Sequence, residues 1–318
     1  MLVSAIIPGY NHAPYLKERI ESVLNQDYPD LEVILLDDCS TDESADIMRA
    51  YADGKCDCMG RQVRFVANEN NSGNTFKQWE KGIALAKGEY VWIAESDDVA
   101  EPTFVSECMA RLQIHPDAVM AFTWSLLIGS DSLPLDSSWD ETWRYEAPGV
   151  YDGRDFCLRR LVYKNLLYNA SMIVFRKKCY ANVSPRYMQF RHSGDWLFWF
   201  EMCMQGKVCE VPLKLNKFRQ HSQKVSNNSR SSGMDFEEMA EIQTVIADTL
   251  NLSAYNRRCL RGRQTKRIER ALRRNQDAAY DVYLRALKEK FPTIYDGSFT
   301  DIVLYTIDKL FNFSHMKR

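Results

Sequence analysis

The chain lacks the marks of several large protein classes. No apolar run reaches the ~18 residues that span a bilayer, so no membrane-crossing helix is expected. Met1 to Pro8 carries no basic leader and is too short for a secretory signal, which makes the expected location cytoplasmic. Nine cysteines are present, but the one closely spaced pair, Cys56 and Cys58, has neither a second pair nor nearby histidines to complete a zinc site, so the set reads as reduced thiols. No Gly-x-Gly-x-x-Gly follows the first strand-like run, and no Gly-x-x-x-x-Gly-Lys-Ser/Thr occurs anywhere, so neither a dinucleotide site nor a P-loop is indicated. Positive charge is not in excess. The balance of 41 Lys and Arg against 43 Asp and Glu gives a net charge of -2, and no aromatic interleaving accompanies the arginines near the C-terminus; both argue against nucleic acid as a partner.

What is present is a soluble, core-forming composition, 45% hydrophobic and 26% charged over 318 residues. Strand-like runs at 2–8, 31–36, 63–67 and 90–94 alternate with helical windows at 14–25, 42–52 and 75–86. The first window places Leu16, Ile20, Val23 and Leu24 at helical spacing, and Asp42 stands where it can cap the second. This alternation predicts an α/β fold with a mostly parallel sheet flanked by helices. In open sheets of this kind ligands bind outside the carboxyl ends of the strands. The rule brings Pro8 to Asn11, Asp37-Asp38 and the carboxylates Glu95, Asp97 and Asp98 to one rim. Clustered carboxylates repel unless water or a divalent cation sits among them, and magnesium commonly bridges carboxylate to phosphate.

Beyond residue 100 the pattern is irregular and aromatic, with Trp124, Trp139, Trp143, Trp196 and Trp199. Residues 226–233 are polar and small and read as a linker. Helical patterns follow at 237–250 and 257–290, the latter rich in arginine from Arg257 to Arg274. The expected division is 1–233, with halves 1–99 and 100–233, followed by a helical segment, 234–318. If the arginines share one face and Leu260, Ile268 and Leu272 another, that helix is expected to rest on an anionic membrane; otherwise it is a salt-bridged packing helix.

Ser4-Ala-Ile-Ile-Pro-Gly-Tyr-Asn11, Ser22-Val-Leu-Asn-Gln-Asp-Tyr-Pro29, Glu32-Val-Ile-Leu-Leu-Asp-Asp-Cys-Ser-Thr-Asp42 and Ala86-Lys-Gly-Glu-Tyr-Val-Trp-Ile-Ala-Glu-Ser-Asp-Asp98 together resemble the family two glycosyltransferases. The resemblance covers about residues 2 to 230 and implies the GT-A fold, with an acidic element that holds a divalent metal, Mn2+ or Mg2+. It implies that Pro8, Tyr10 and Asn11 shape the pocket for the nucleotide base, that Asp38 binds base or ribose, and that Asp97 coordinates the metal with Glu95 or Asp98 assisting. His192-Ser-Gly-Asp-Trp-Leu-Phe-Trp199 is similar to the family's Glu-Asp-x-x-Leu-Trp segment, which implies Asp195 as general base. Trp196 and Trp199 are then expected to raise its pKa by desolvation and to stack on a sugar. Asp195 as the N-cap of a helix over 196–204 is compatible with that role.

Lys217-Phe-Arg-Gln-His-Ser-Gln-Lys-Val-Ser226 looks like the family's Tyr-Arg-x-His-x-x-x-x-Ser element, which implies His221 at the metal or diphosphate and Arg219 and Lys224 on phosphate. Lys77, after Asn70-Asn-Ser-Gly-Asn74, is a further phosphate candidate. The chain departs from the pattern at Glu95 (usually Asp), Gly194 (often Glu) and Gly9 (commonly Thr or Ser). The implied activity is inverting transfer of a sugar from a nucleotide-sugar donor to a glycan or lipid-linked acceptor in bacterial surface polysaccharide synthesis. A non-catalytic sugar- or nucleotide-binding subunit of an assembly complex is the competing expectation.

Overall fold

A computed structural model describes residues 1–136, 149–221, 234–274 and 278–311. It divides into two compact units. The first comprises Met1–Asp152, Asn169–Met188 and Glu201–His221; the second comprises Gly153–Tyr168, Gln189–Phe200 and Ser222–Arg318.

The first unit is built on one sheet. Its elements in chain order are β1 (Val3–Gly9), α1 (Ala13–Leu24), β2 (Leu31–Asp37), α2 (Ser44–Ala52), β3 (Gln62–Ala67), α3 (Thr75–Leu85), β4 (Tyr90–Ile93), β5 (Val99–Ala100), α4 (Phe104–Ile114), β6 (Ala118–Ile128), β7 (Gly149–Tyr151), β8 (Ile173–Arg176) and β9 (Lys207–Arg219). The spatial order is β3-β2-β1-β4-β8-β6-β9-β5, with β7 also on β9. Pairing is parallel from β3 through β4, and the remainder is mixed. The predicted β/α alternation over the first 94 residues is thus observed, with ends shifted by a residue or two. Asp42 lies just before α2 rather than capping it directly, accepting hydrogen bonds from Ser44 N (2.9 Å) and Ala13 N (3.1 Å).

Both faces of the parallel strands are covered, which is why β1 and β2 are buried along their whole length. Val3, Ala5, Ile7, Val33 and Leu35 pack in one cluster with Leu16, Ile20 and Val23 of α1, each such side chain worth about 1.5–3 kcal/mol when fully buried. The opposite face takes α3, which can lie close because its Gly82 has no side chain; a Cβ there would fall 2.3 Å from Ile6 Cγ2.

The second unit contains the short α5 (Gly153–Phe156), the part of α6 (Gly194–Cys203) up to Phe200, and the helices α7 (Met234–Thr249), α8 (Ala254–Arg274), α9 (Ala278–Lys290), α10 (Pro292–Tyr295) and α11 (Phe299–Phe311). The helix predicted over 257–290 is therefore two helices, α8 and α9. α8 crosses α11 tightly at Gly262, where a Cβ would lie 2.1 Å from Asp301 O. Arg258 and Arg261 both bond the buried Asp301 carboxylate (2.7 and 2.8 Å), and Arg257 bonds Asp248. Arg263 stacks on Tyr163 and Arg267 on Phe236, while Leu260 and Ile268 are buried. Over these residues the arginine-rich helix is a packing helix. Among the described residues no helix is long and apolar enough to cross a membrane.

Candidate active site

Parallel pairing puts the carboxyl ends of β1, β2 and β4 on one rim of the first unit, tied by Asp38 N to Gly9 O (2.9 Å) and Ala94 N to Ile6 O (2.8 Å). The chain leaves β1 through Asn11, whose φ of 53° is left-handed, a conformation asparagine tolerates better than most residues. Asn11 Oδ1 accepts from Thr41 N (2.8 Å), and its own N–H donates to Ser40 Oγ (3.0 Å), so this side chain joins the rims of β1 and β2. Pro8 is buried in β1 and Tyr10 is 45% exposed beside it.

Three strand ends converge on a metal-type cluster. His12 follows β1, Asp97 follows β4 and His221 follows β9, and one ligand atom from each lies within 4.8 Å of the others. His221 Nε2 is 3.0 Å from Asp97 Oδ2, and their side chains are 3% and 13% exposed. Ser96 Oγ holds His12 Nδ1 at 2.7 Å, which fixes that ring. The His12 and His221 rings meet edge to face at 5.8 Å, with Tyr15 5.0 Å from His221. Two imidazoles and one carboxylate are a fitting donor set for a divalent transition ion. His12 was not foreseen, although the rule that assembled Pro8 to Asn11 at the rim reaches it one residue later.

Several other residues expected at this site face elsewhere. Asp98 is 1% exposed and turns inward: its Oδ2 accepts from Asn169 Nδ2 and Ser171 Oγ (2.7 Å each), and its Oδ1 from Arg219 N (3.0 Å). Glu95 Oε1 accepts from Trp79 Nε1 (2.8 Å), outside the histidine cluster. Burial, then the neighbouring Asp97, pushes Glu95 up to about 8. Asp38, expected on base or ribose, has its carboxylate taken by Asn68 Nδ2, Ser72 N, Ser72 Oγ and Gln78 Nε2, and so braces the 68–78 segment.

Arg219, expected on phosphate, is fully buried and donates to Asp97 O (2.6 Å), Gly129 O (3.0 Å), Ser132 Oγ (2.8 Å) and Glu18 Oε2 (2.6 Å). It is a strut beneath Asp97, since its donors point into the protein. Lys77 is exposed on α3, 3.4 Å from Ser72 O. Lys224 lies outside the described residues. A Cβ on Gly9 would meet the tip of the flexible Met48 side chain at 2.7 Å.

Asp195 belongs to the second unit, in the first turn of α6. Its Oδ2 accepts from Asn165 Nδ2 and its Oδ1 from Trp196 N, both at 2.8 Å. Burial pushes its carboxyl from 3.8 up to about 7, the neighbouring Glu238 adding to the rise and the two hydrogen bonds opposing it. A carboxylate with that proton affinity is suited to general-base work near neutrality. Trp196 and Trp199, expected to stack on a sugar, are core residues at 4% and 0% exposure, with Trp196 Nε1 donating to Leu161 O (3.0 Å).

Residues 4–165, just over half of the chain, match the family described as Glycosyl transferase family 2. The chain belongs to this family. It is 31% identical over 197 residues to Glycosyltransferase GlyG of Streptococcus pneumoniae, covering 62% of this chain and 52% of GlyG. It is 32% identical over 122 residues to the poly(ribitol-phosphate) beta-N-acetylglucosaminyltransferase TarS of Staphylococcus aureus, covering 38% of this chain and 20% of TarS. The chain therefore spans about half the length of GlyG and about a fifth of TarS. The structure of S. aureus TarS 1–349 in complex with UDP-GlcNAc superposes with a TM-score of 0.62 at 19% identity, covering 81% of this chain and 70% of that one. A likeness at that identity shows the fold, and the fold is GT-A.

Proposed function

We propose that this family 2 chain transfers a sugar from a nucleotide-sugar donor to an acceptor hydroxyl, with inversion. The convergence of His12, Asp97 and His221 at the carboxyl ends of three strands carries the proposal. These residues would hold a divalent cation, which supplies positive charge against the donor's diphosphate. Magnesium favours all-oxygen surroundings, so of the two ions expected the imidazoles favour manganese. Pro8, Tyr10 and Asn11 form the turn against which the base is read, and Asn11 and Asp38 keep that turn and the 68–78 segment in place.

Asp195 accepts the proton of the acceptor hydroxyl. The hydroxyl oxygen bonds to the anomeric carbon as the bond from that carbon to the diphosphate oxygen breaks, and the electron pair leaves with the nucleoside diphosphate. Supporting this role, Asp195 is oriented by Asn165 and titrates near the pH at which it must work.

A uridine nucleotide is the donor class we favour, because UDP and UDP-GlcNAc are the ligands in the TarS complexes that share the fold. A glycan or lipid-linked acceptor of surface polysaccharide synthesis at the cytoplasmic face of the membrane is the setting that fits. Contact of α8 with anionic lipid is expected to be weak, since Arg257, Arg258, Arg261, Arg263 and Arg267 are engaged within the second unit. A thermal-shift panel of nucleoside diphosphates and nucleotide sugars, with manganese or magnesium, tests the reading. Manganese-dependent stabilisation by a uridine nucleotide, absent in Asp97→Ala, is expected. No stabilisation by any nucleotide would favour a non-catalytic subunit instead.

A further inference from the structure

Three consecutive backbone N–H groups, those of Arg191, His192 and Ser193, converge on the carboxylate of the fifth residue of α7: Arg191 N donates to Glu238 Oε1 (2.7 Å), and His192 N and Ser193 N donate to Glu238 Oε2 (3.0 and 2.8 Å). Successive N–H groups of this kind form an anion-binding concavity, and here the anion is a side chain of the same chain. Asp195 begins two residues later, after a glycine at 194 that contributes no side chain.

The start of α7 is itself held on its other side. Glu237 accepts from Tyr283 Oη (2.8 Å) and from Lys290 Nζ, both on α9; the carbonyl of Phe236 accepts from Tyr295 Oη (2.5 Å), and Arg267 of α8 stacks on the Phe236 ring at 5.2 Å. Neighbouring glutamates therefore face in two directions, one toward the C-terminal helices and one toward the loop that carries the base.

We propose that Glu238 is a positioning residue for Asp195: by clamping the backbone of residues 191–193 it fixes the turn from which the base carboxyl projects, so that the C-terminal helices form part of the catalytic apparatus. The inference rests on Asp195 being the base. Glu238 acts on Asp195 electrostatically in the direction expected of a like charge, raising its proton affinity, after burial itself. The neutral donors Asn165 and Trp196 N oppose it. The other titratable side chains in the loop are those of Arg191, exposed, and His192, half-buried.

The test uses the full chain labelled with [13C]aspartate at the carboxyl carbon, the Asp195 signal being assigned by its loss in Asp195→Asn. In Glu238→Gln, which keeps the shape and removes the charge, the Asp195 titration midpoint is expected to fall by about half a unit to one unit. The acidic limb of the pH profile for manganese-supported hydrolysis of UDP-GlcNAc moves with it. Glu238→Ala gives the same or a larger fall and lowers Tm, because three N–H groups lose their acceptor. An unmoved Asp195 midpoint in folded Glu238→Gln overturns the proposal and leaves Glu238 a structural tie. Should the wild type fail to hydrolyse any UDP-sugar while the midpoint still moves, the coupling stands and the proposed function falls.

Discussion

The rim of the first unit and the Asp195 loop of the second hold carboxylates by different means. At the rim, position comes from the sheet: parallel register places the ends of β1 and β4 side by side, and β9 brings His221 to Asp97. In the loop, position comes from side chains far along the sequence, Asn165 and Glu238, that bond Asp195 and its preceding backbone. The first arrangement is rigid because a whole sheet would have to shear to change it. The second depends on a few hydrogen bonds and is correspondingly easier to perturb by single substitutions.

The largest effect expected on either side is loss of the reacting groups. Asp195→Asn should reduce transfer by about 10²- to 10⁴-fold, and Asp97→Ala by about 10²- to 10³-fold, each with an unchanged circular dichroism spectrum. Near-wild-type turnover in a folded Asp195→Asn enzyme would remove the base assignment. At the rim, adjacent aspartates should behave oppositely. Asp98→Ala strips the acceptor from Asn169, Ser171 and Arg219 N, so denaturant unfolding should show a stability loss of about 2–4 kcal/mol, while Asp97→Ala should lose manganese affinity and keep its stability.

His12→Ala sharpens the same contrast. Removing one of three protein ligands should weaken manganese binding at least about tenfold by isothermal titration; unchanged affinity would reduce His12 to a packing partner of His221. In the loop, the raised carboxyl of Asp195 sets the pH dependence. As the proposed base, Asp195 must be ionised, so kcat/KM should rise with pH through about 7 and fall roughly tenfold per unit below it.

The smallest effect is on stability. A carboxyl that binds its proton more tightly folded than unfolded costs the folded state stability, which is lost progressively as pH rises from about 4 to about 7 and stays lost above that. Asp195→Asn removes that cost, so its Tm at pH 8 should exceed the wild type's by a few degrees and the difference should vanish below about pH 4.

Much of the first unit was legible in the sequence because hydrophobic period and turn residues there are local signals. Leu16, Ile20, Val23 and Leu24 announce α1, and the ends of the apolar runs mark the rim. His221 was legible through the resemblance of residues 217–226 to a family element, and the structure places it 3.0 Å from Asp97. What the sequence does not carry is the direction of a polar side chain at a strand end. Asp97 and Asp98 are adjacent, yet one joins the histidines and the other is bonded by Asn169 and Ser171 some seventy residues on. Arg219 and Asp38 looked like ligand contacts and are braces, because buried donors and acceptors from distant segments reach them first. Trp196 and Trp199 looked like a sugar platform and belong to the core, since the helix they sit on is mostly apolar and buried. Glu238 had no signal at all: nothing in its surroundings along the chain points to a loop 45 to 47 residues earlier.

The most direct single measurement is isothermal titration of UDP into the wild type and into Asp97→Ala, each with saturating manganese. Binding to the wild type that is abolished or weakened at least about a hundredfold in the folded variant is the predicted result. Equal binding to both proteins, or to neither, would contradict a metal-assisted nucleotide-sugar site at the ends of β1, β4 and β9.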